Sequence, residues 1–573
     1  MAQSDGLAKA RPYFLDYELA QPGNGNVRED KYTQVTAARD AQSIQTMDFL
    51  QLTSISSAFS TCLFSFPLYI IIALATSIGA YFIIHSRDSK NWKDSPPGPV
   101  GWPILGSLPH FLNNRLHEDL FHLSRIHGPL FSLKLGLKPV VVIASPEMAC
   151  KTLKQQEAVF SSRTVTEAIR VITYDTASIV YAPMDSARWR VIRKILMEKL
   201  FSAKAFEAFE PLRKQQVHGL LKELYSTSMS RNSVNIAEWA FVASGNIVSN
   251  TVCSKNLFEN TKKGGRELKH TFWQLMQILG SVNVADLIPV LKPFDPQGLK
   301  RRILKIFRRL DAFYENIIKE RLEERKIGIG NIGKQNLDLL DVLLDYRSDR
   351  DDELKSLSRK NVKGMLAEMF VAGTETTSST FEWGMAEILR KPDAYKKIVM
   401  ELDQVVGKDR FVEESDISNL PYLQAAVKEV FRLHPAVPLL VPRSTNEACE
   451  VSGYHIPKGC IVLVNVWGMA RDPGVWEDPC EFKPERFLGS SIDVKGHDFN
   501  LIPFGSGKRS CIGLPLGHRM VHFYLAALLH AFEWECPAEI VDNVEERVGL
   551  TIRKGKTLIG IPKPRLSNSV YLQ

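Results

Sequence analysis

The chain of 573 residues is 45% hydrophobic and 24% charged, an ordinary globular balance that excludes a disordered, collagen-like or disulfide-framework protein. Its 72 basic residues against 64 acidic ones leave a net charge of +8, too small an excess to imply nucleic-acid binding but suited to an anionic membrane surface or an acidic partner. The eight cysteines form no C-x-x-C pair and no Cys/His cluster at zinc spacing, which fits a reducing compartment, and no period marks an internal repeat.

Residues 1–57 read as a polar, disordered tail, in which Lys9, Arg11, Arg28, Lys31 and Arg39 alternate with Asp5, Asp16, Glu18, Glu29, Asp30 and Asp40. A transit peptide would be poor in acids. Met47 stands as an alternative start. Residues 58–86 read as a transmembrane anchor: no charged residue lies between Asp48 and Arg87, and 63–84 are almost wholly apolar. At about 1.5 Å per residue, roughly twenty such residues cross a bilayer core of about 30 Å. Arg87, Lys90 and Lys93 follow the segment, so the positive-inside bias places the C-terminal body in the cytosol. Residues 87–109 are a proline-rich hinge, with Ser95-Pro96-Pro97-Gly98-Pro99 and Gly101-Trp102-Pro103, read either as a stiff extended spacer or as an irregular loop.

Residues 110–573 show three- and four-residue apolar spacing over 302–326 and 361–390, and strand-like runs around glycine turns at 133–144 and 449–466. The body is therefore expected to be mainly α with a small β-rich lobe. The stretch 284–294 reads as core packing in preference to a segment dipping into a bilayer. Gly328 to Gln335 matches G-x-G-x-x-G, but the charged run 319–326 leads into it where a buried strand is required, so it reads as a surface loop. With no other dinucleotide fingerprint, any reducing equivalents must come from a partner protein.

Several motifs carry polar chemistry on apolar elements. Trp189 and Arg193 are four apart on one helical face. Ala372-Gly373-Thr374-Glu375-Thr376-Thr377 interrupts a long apolar helix; the plain alternative is Thr376 bonding back to a carbonyl one turn earlier, with Glu375 on the surface. Glu429 and Arg432 share a helix face, and Pro484-Glu485-Arg486-Phe487 follows later. Arg443 comes after Val441-Pro442. Finally, Pro503-Phe504-Gly505-Ser506-Gly507-Lys508-Arg509-Ser510-Cys511-Ile512-Gly513 combines turn-forming glycines with one cysteine.

This last run resembles the haem-binding loop of cytochrome P450, F-x-x-G-x-R-x-C-x-G, with every fixed position met. The resemblance extends from Pro96 to about Pro564. Phrases such as Phe160-Ser161-Ser162-Arg163, Leu420-Pro421-Tyr422-Leu423-Gln424 and Ala470-Arg471-Asp472-Pro473 are similar to the plant microsomal branch, and Asp493-Val494-Lys495-Gly496 with Gly513 to His522 to its geraniol-hydroxylase-like clan. Ile512 and Lys508 stand where plant members usually place proline and arginine.

The resemblance implies the cytochrome P450 fold and a haem b whose iron takes the Cys511 thiolate, which favours O–O cleavage. By similarity Arg509, Trp189, Arg193 and Arg443 meet the haem propionates. Phe504 packs near the ring, and Gly505 and Gly513 shape the loop. Gly373 lets the helix approach O₂, Thr376 and Glu375 relay protons to it, and Glu429, Arg432 and Arg486 form a buried structural network. NADPH-cytochrome P450 reductase would supply electrons on the Cys511 side. The protein is then expected to be a single-pass endoplasmic reticulum monooxygenase with its catalytic domain in the cytosol, acting on a lipophilic small molecule, a terpenoid foremost. Substrate contacts are expected at 166–178, 369–372, 436–441 and 548–551. Alternatives are the same chemistry on a phenolic, phenylpropanoid or fatty acid, a haem-thiolate isomerase or dehydratase, and a non-enzymatic haem sensor or scaffold.

Overall fold

The computed structural model of the protein describes residues 94–111, 115–258, 263–328, 338–349 and 354–573, together with Ala73, Ala75, Thr76 and Gly79. Contacts divide the chain into units at 1–80 and 81–573, and the motifs from Trp189 to Cys511 all fall in the second. The polar tail, most of the expected anchor and most of the loop Gly328 to Gln335 lie outside the described residues. Among the described residues no helix is long and apolar enough to cross a membrane.

Six helices carry the site: α1 (Ala187–Lys199), α2 (Ile236–Cys253), α3 (Leu299–Lys326), α4 (Arg359–Arg390), α5 (Pro421–Leu433) and α6 (Leu514–Ala531). The centre is α2, α4 and α6, each buried over much of its circumference, the pattern of helices interior to a large core. Trp239, Phe381 and Tyr524, one from each, meet with ring centroids 5.6 to 5.9 Å apart. Gly373 faces Val248 of α2, and a Cβ there would lie 2.8 Å from its Cγ2. Its missing side chain thus serves helix packing, and α4 runs from Arg359 to Arg390 as one α-helix. The N-terminus of α4 is fixed by Ser358 and Asn361 in a capping box.

The β content is gathered in small sheets. The largest comprises β1 (Leu130–Leu135), β2 (Lys138–Ile143), β3 (Ser162–Arg163), β4 (Arg443–Ser444) and β5 (Ile461–Val464), in the order β1-β2-β5-β4-β3. Only β2 and β5 run parallel among these pairs. The run 133–144 is thus a hairpin that begins three residues early, and 449–466 splits into a short hairpin and β5. The hinge packs along β1: Ser132 donates its N–H to the carbonyl of Pro97 and its hydroxyl to that of Pro96.

The stretch 284–294 divides. Leu287 and Ile288 are buried, while Val290 is 74% and Phe294 71% exposed. The Leu287 carbonyl accepts from Leu137 N–H, and the Leu105 carbonyl from Gly136 N–H. Exposed Trp102, Ile104, Leu105, Leu137, Val290 and Phe294 therefore belong to neighbouring segments of one surface.

Candidate active site

Between Phe504 and the start of α6 the chain reverses tightly, with Gly505 and Gly507 both at φ +71°, a left-handed conformation that glycine adopts without a Cβ penalty. The Cys511 N–H closes the turn onto the Phe504 carbonyl at 2.9 Å. Gly513 caps α6 without a side-chain acceptor, so the first amides of the helix are free to act. Those of Gly513 and Leu514 donate to the Cys511 sulfur. Burial pushes the thiol pKa up, while these amides and the Arg193 charge pull it down by favouring the thiolate. The Cys511 side chain is accessible. The Phe504 ring stands edge-on to Phe431 of α5, centroids 5.1 Å apart.

Around this sulfur the fold assembles arginines. Trp189 of α1 packs against two of them, with the Arg193 guanidinium 5.4 Å and that of Arg509 5.5 Å from its ring centroid. Arg509 is 8% exposed and donates to the carbonyls of Ser161, Ile179, Val180 and Ala182. Arg443 on β4 is 3% exposed and donates to the Ser506 carbonyl at 2.9 Å. Directly across the sheet stands Arg163 of β3, which donates to the carbonyls of Val441 and Val180. Desolvation, together with the charge of Arg163, lowers the pKa of Arg443 and of Arg509 to about 9, and desolvation lowers that of Arg163 to about 10.

Arg163 was not singled out from the sequence as a site residue. Its phrase Phe160-Ser161-Ser162-Arg163 is visible there, but only the β3–β4 register sets it opposite Arg443. Buried cations held by carbonyls alone are costly without counter-charge. Glu368 and Glu157 act on these arginines only at a distance; a haem would bring two propionate carboxylates to them, and Cys511 offers a thiol beneath amide donors. The residues present therefore fit haem.

The other motifs fall on α4 and α5. The Thr376 hydroxyl donates to the Ala372 carbonyl at 2.6 Å, which is the back-bonded arrangement. Glu375, however, is not on the surface: it is 3% exposed, pairs with Arg553 and accepts from the Thr551 hydroxyl. Successive helical residues diverge by about 100°, so the two side chains face different neighbours, and no hydrogen bond joins them. Arg553 is a second residue the sequence did not disclose, because it reaches Glu375 from the hairpin of Glu546–Val548 and Ile552–Lys554.

Glu429, Arg432 and Arg486 come together. Arg432 grips Glu429 at 2.7 and 2.8 Å, Arg486 adds a bond of 3.0 Å, and the Lys483 N–H one of 2.9 Å. Glu429 and Arg432 are fully buried. The remaining Arg432 donors go to the carbonyls of Ala470, Pro479 and Glu481, so the pair is satisfied at every position that burial exposes to cost. Of the expected substrate segments, 436–441 and 548–551 converge, since Ile552 N–H donates to the Ala436 carbonyl at 2.9 Å.

A family model described as Cytochrome P450 matches residues 96–559. The chain is 41% identical over 477 residues to geraniol 8-hydroxylase of Catharanthus roseus, covering 83% of this chain and 95% of that protein. It is 39% identical over 515 residues to flavonoid 3'-monooxygenase of Arabidopsis thaliana, covering 88% and 98%. Among solved structures, a zebra fish cytochrome P450 with abiraterone superposes with a TM-score of 0.64 at 24% identity, over 78% of this chain and all of the other; that likeness speaks for the fold.

Proposed function

Because the chain belongs to the cytochrome P450 family and is a monooxygenase acting on a lipophilic small molecule, we propose that it hydroxylates a terpenoid from the endoplasmic reticulum membrane, with electrons from NADPH-cytochrome P450 reductase. The observation that carries the haem site is the Cys511 thiol set under the amides of Gly513 and Leu514 inside a collar of buried arginines. Haem b bound there supplies oxygen activation and the insertion of one oxygen atom into a substrate C–H bond.

The chain's own residues do the rest. Cys511 would hold the iron as thiolate, its charge spread by the two amides. Arg163, Arg193, Arg443 and Arg509 would hold the propionates, with the Trp189 ring packed under Arg193 and Arg509. The Thr376 hydroxyl would relay protons once it leaves its Ala372 carbonyl, and the Glu375 carboxylate would join that relay on release from Arg553. Glu429, Arg432 and Arg486 hold α5 rigid behind the loop. Exposed Lys508, three residues before Cys511 and paired with Glu157 at 3.3 Å, would exchange that partner for an acidic group of the reductase.

A terpenoid is favoured by the aliphatic strips 436–441 and 548–551, rich in valine and leucine and without a charged side chain, and by the likeness to a geraniol hydroxylase. A flavonoid is the second reading, favoured by the comparable likeness to a flavonoid monooxygenase. Membrane residence is supported by the apolar stretch 63–84 and by the exposed patch of Trp102, Leu137, Val290 and Phe294. The test is product analysis by mass spectrometry, using microsomes carrying the full chain, a reductase and NADPH, offered geraniol and kaempferol. A hydroxylated geraniol dependent on NADPH and O₂ is expected. A hydroxylated kaempferol with geraniol untouched would overturn the terpenoid assignment.

A further inference from the structure

The basic excess of the chain is not spread evenly. Residues 299–310, at the start of α3, hold Lys300, Arg301, Arg302, Lys305, Arg308 and Arg309 and no acid, so six of the net eight positive charges stand in twelve residues. From Asp311 onward the same helix carries both signs again. Helical geometry sorts the run. At about 100° per residue, Arg301, Arg302, Lys305, Arg308 and Arg309 fall within an arc of about 120° and within about 12 Å along the axis. All five are exposed, while Leu299, Ile303, Ile306 and Leu310 are buried on the other side of the helix.

Such a face is costly by itself. Like charges three and four residues apart repel along a helix, and Lys305 has Arg301, Arg302, Arg308 and Arg309 at those spacings. The chain offers little relief. Asp295 lies 3.7 Å from Arg301, whose side chain is 81% exposed, and Glu167 takes Lys300, which stands off the arc. Among the described residues no carboxylate pairs with Arg302, Lys305, Arg308 or Arg309. A single-sign patch of this kind is suited to counter-charge from outside the chain.

The neighbouring segment says which kind. Exposed Val290 and Phe294 directly precede the helix, and the turn between is fixed to it, because the Asp295 carboxylate accepts from the N–H groups of Lys300 and Arg301 at 3.0 and 3.1 Å. Apolar side chains and cations therefore belong to one continuous strip of chain. An acidic protein would answer the cations and leave Val290 and Phe294 without a reason; a bilayer of anionic lipid takes both, apolar groups at the acyl boundary and cations at the phosphates. We propose that Arg301, Arg302, Lys305, Arg308 and Arg309 of α3 form a docking stripe for the anionic headgroups of a lipid bilayer. This rests on the membrane residence proposed above only for bringing the body near a bilayer; the selection of lipid charge belongs to the stripe and is independent of the anchor 58–86.

The test uses the full-length haem protein in vesicles of phosphatidylcholine alone or with roughly one third phosphatidylserine. Acetylation of Lys305 is read by mass spectrometry against that of Lys396, an exposed lysine on the helix Pro392–Val405. At low salt, phosphatidylserine should slow Lys305 about fivefold relative to Lys396, the scale of one cation at an anionic surface. Salt at about 1 M, where screening acts within about 3 Å, should abolish the difference. The double variant Arg302→Gln, Arg309→Gln changes only exposed side chains and should keep the fold, yet return Lys305 toward its rate in phosphatidylcholine. Equal Lys305 rates in the two vesicles, or a slowing that either salt or the variant leaves intact, would overturn the stripe. A slowing that appears only when a reductase is added would overturn it in favour of an acidic protein. Failure of the chain to float with phosphatidylcholine vesicles would instead sink the anchor, and the phosphatidylserine comparison would still decide the stripe.

Discussion

At the scale of single residues, the sulfur of Cys511 is conditioned by groups from three elements: amides of α6, a guanidinium of α1 and the turn closed by Phe504. Replacement Cys511→Ser should abolish the thiolate-type spectrum of the reduced carbonyl complex, and an unchanged spectrum would remove the ligand assignment. The collar yields a separate expectation. Arg163→Ala deletes one of the charges crowding Arg443 and Arg509. It also deletes a guanidinium that we propose orients the propionates. The variant should therefore lose haem faster when challenged with an apo-globin acceptor, by about tenfold if one charge-assisted bond of roughly 1.5 kcal/mol is lost. Retention equal to that of the wild type would mean Arg163 plays no part in holding the group.

At the scale of elements, α5 is locked to the segment 477–487 through a charge network with no exposure at its centre. Removing Arg432 as Arg432→Ala strands the buried Glu429 carboxylate with only Arg486 and one N–H, and such uncompensated charges cost about 3–5 kcal/mol. Urea unfolding should show a loss of that order. A shift under about 1 kcal/mol would place the network among exposed pairs of little consequence. The same helix carries Phe431 against Phe504, so this destabilisation should reach the thiolate loop and appear as lower haem content at moderate urea. On α4, the divergence of Glu375 toward Arg553 and of Thr376 toward its own helix explains why a six-residue motif divides its work between two faces.

For the whole molecule, the buried titratable groups oppose one another with pH. Burial raises Glu382, which accepts from Leu558 N–H, from 4.5 to about 7. The folded chain keeps that proton where the unfolded chain releases it, so this stabilisation is complete below about 4.5 and is lost as pH rises through 7. Burial also lowers His518 to about 4 and His522 to about 3 from 6.5. Their contribution is present above about 6.5 and is lost as pH falls toward those values. In Glu382→Gln the acceptor for Leu558 remains while the proton release is gone. Its unfolding midpoint in urea should therefore climb more steeply than that of the wild type between about pH 4.5 and 7, and parallel slopes would contradict the assignment.

Local spacing determined the helical body, its small sheets, the turn-forming glycines around Cys511 and the helix face that Glu429 and Arg432 share: three and four residues for a helix face, fixed glycines for a turn. That Glu429 and Arg432 pair in the interior, and that Arg443, Arg509, Trp189 and Arg193 belong to the site, came from the resemblance of their motifs to the family. Tertiary structure alone decided that Arg163 joins them, since that depends on two distant strands lying in register. It decided that Gly373 serves a helix contact, that Glu375 is held by Arg553, and that 284–294 is half core and half surface. It brought Glu368 to the amides of a loop 188 and 189 residues away in sequence. Spacing records what one element presents to its surroundings. Which partner meets it is settled only when separate elements pack and every buried polar group must be satisfied.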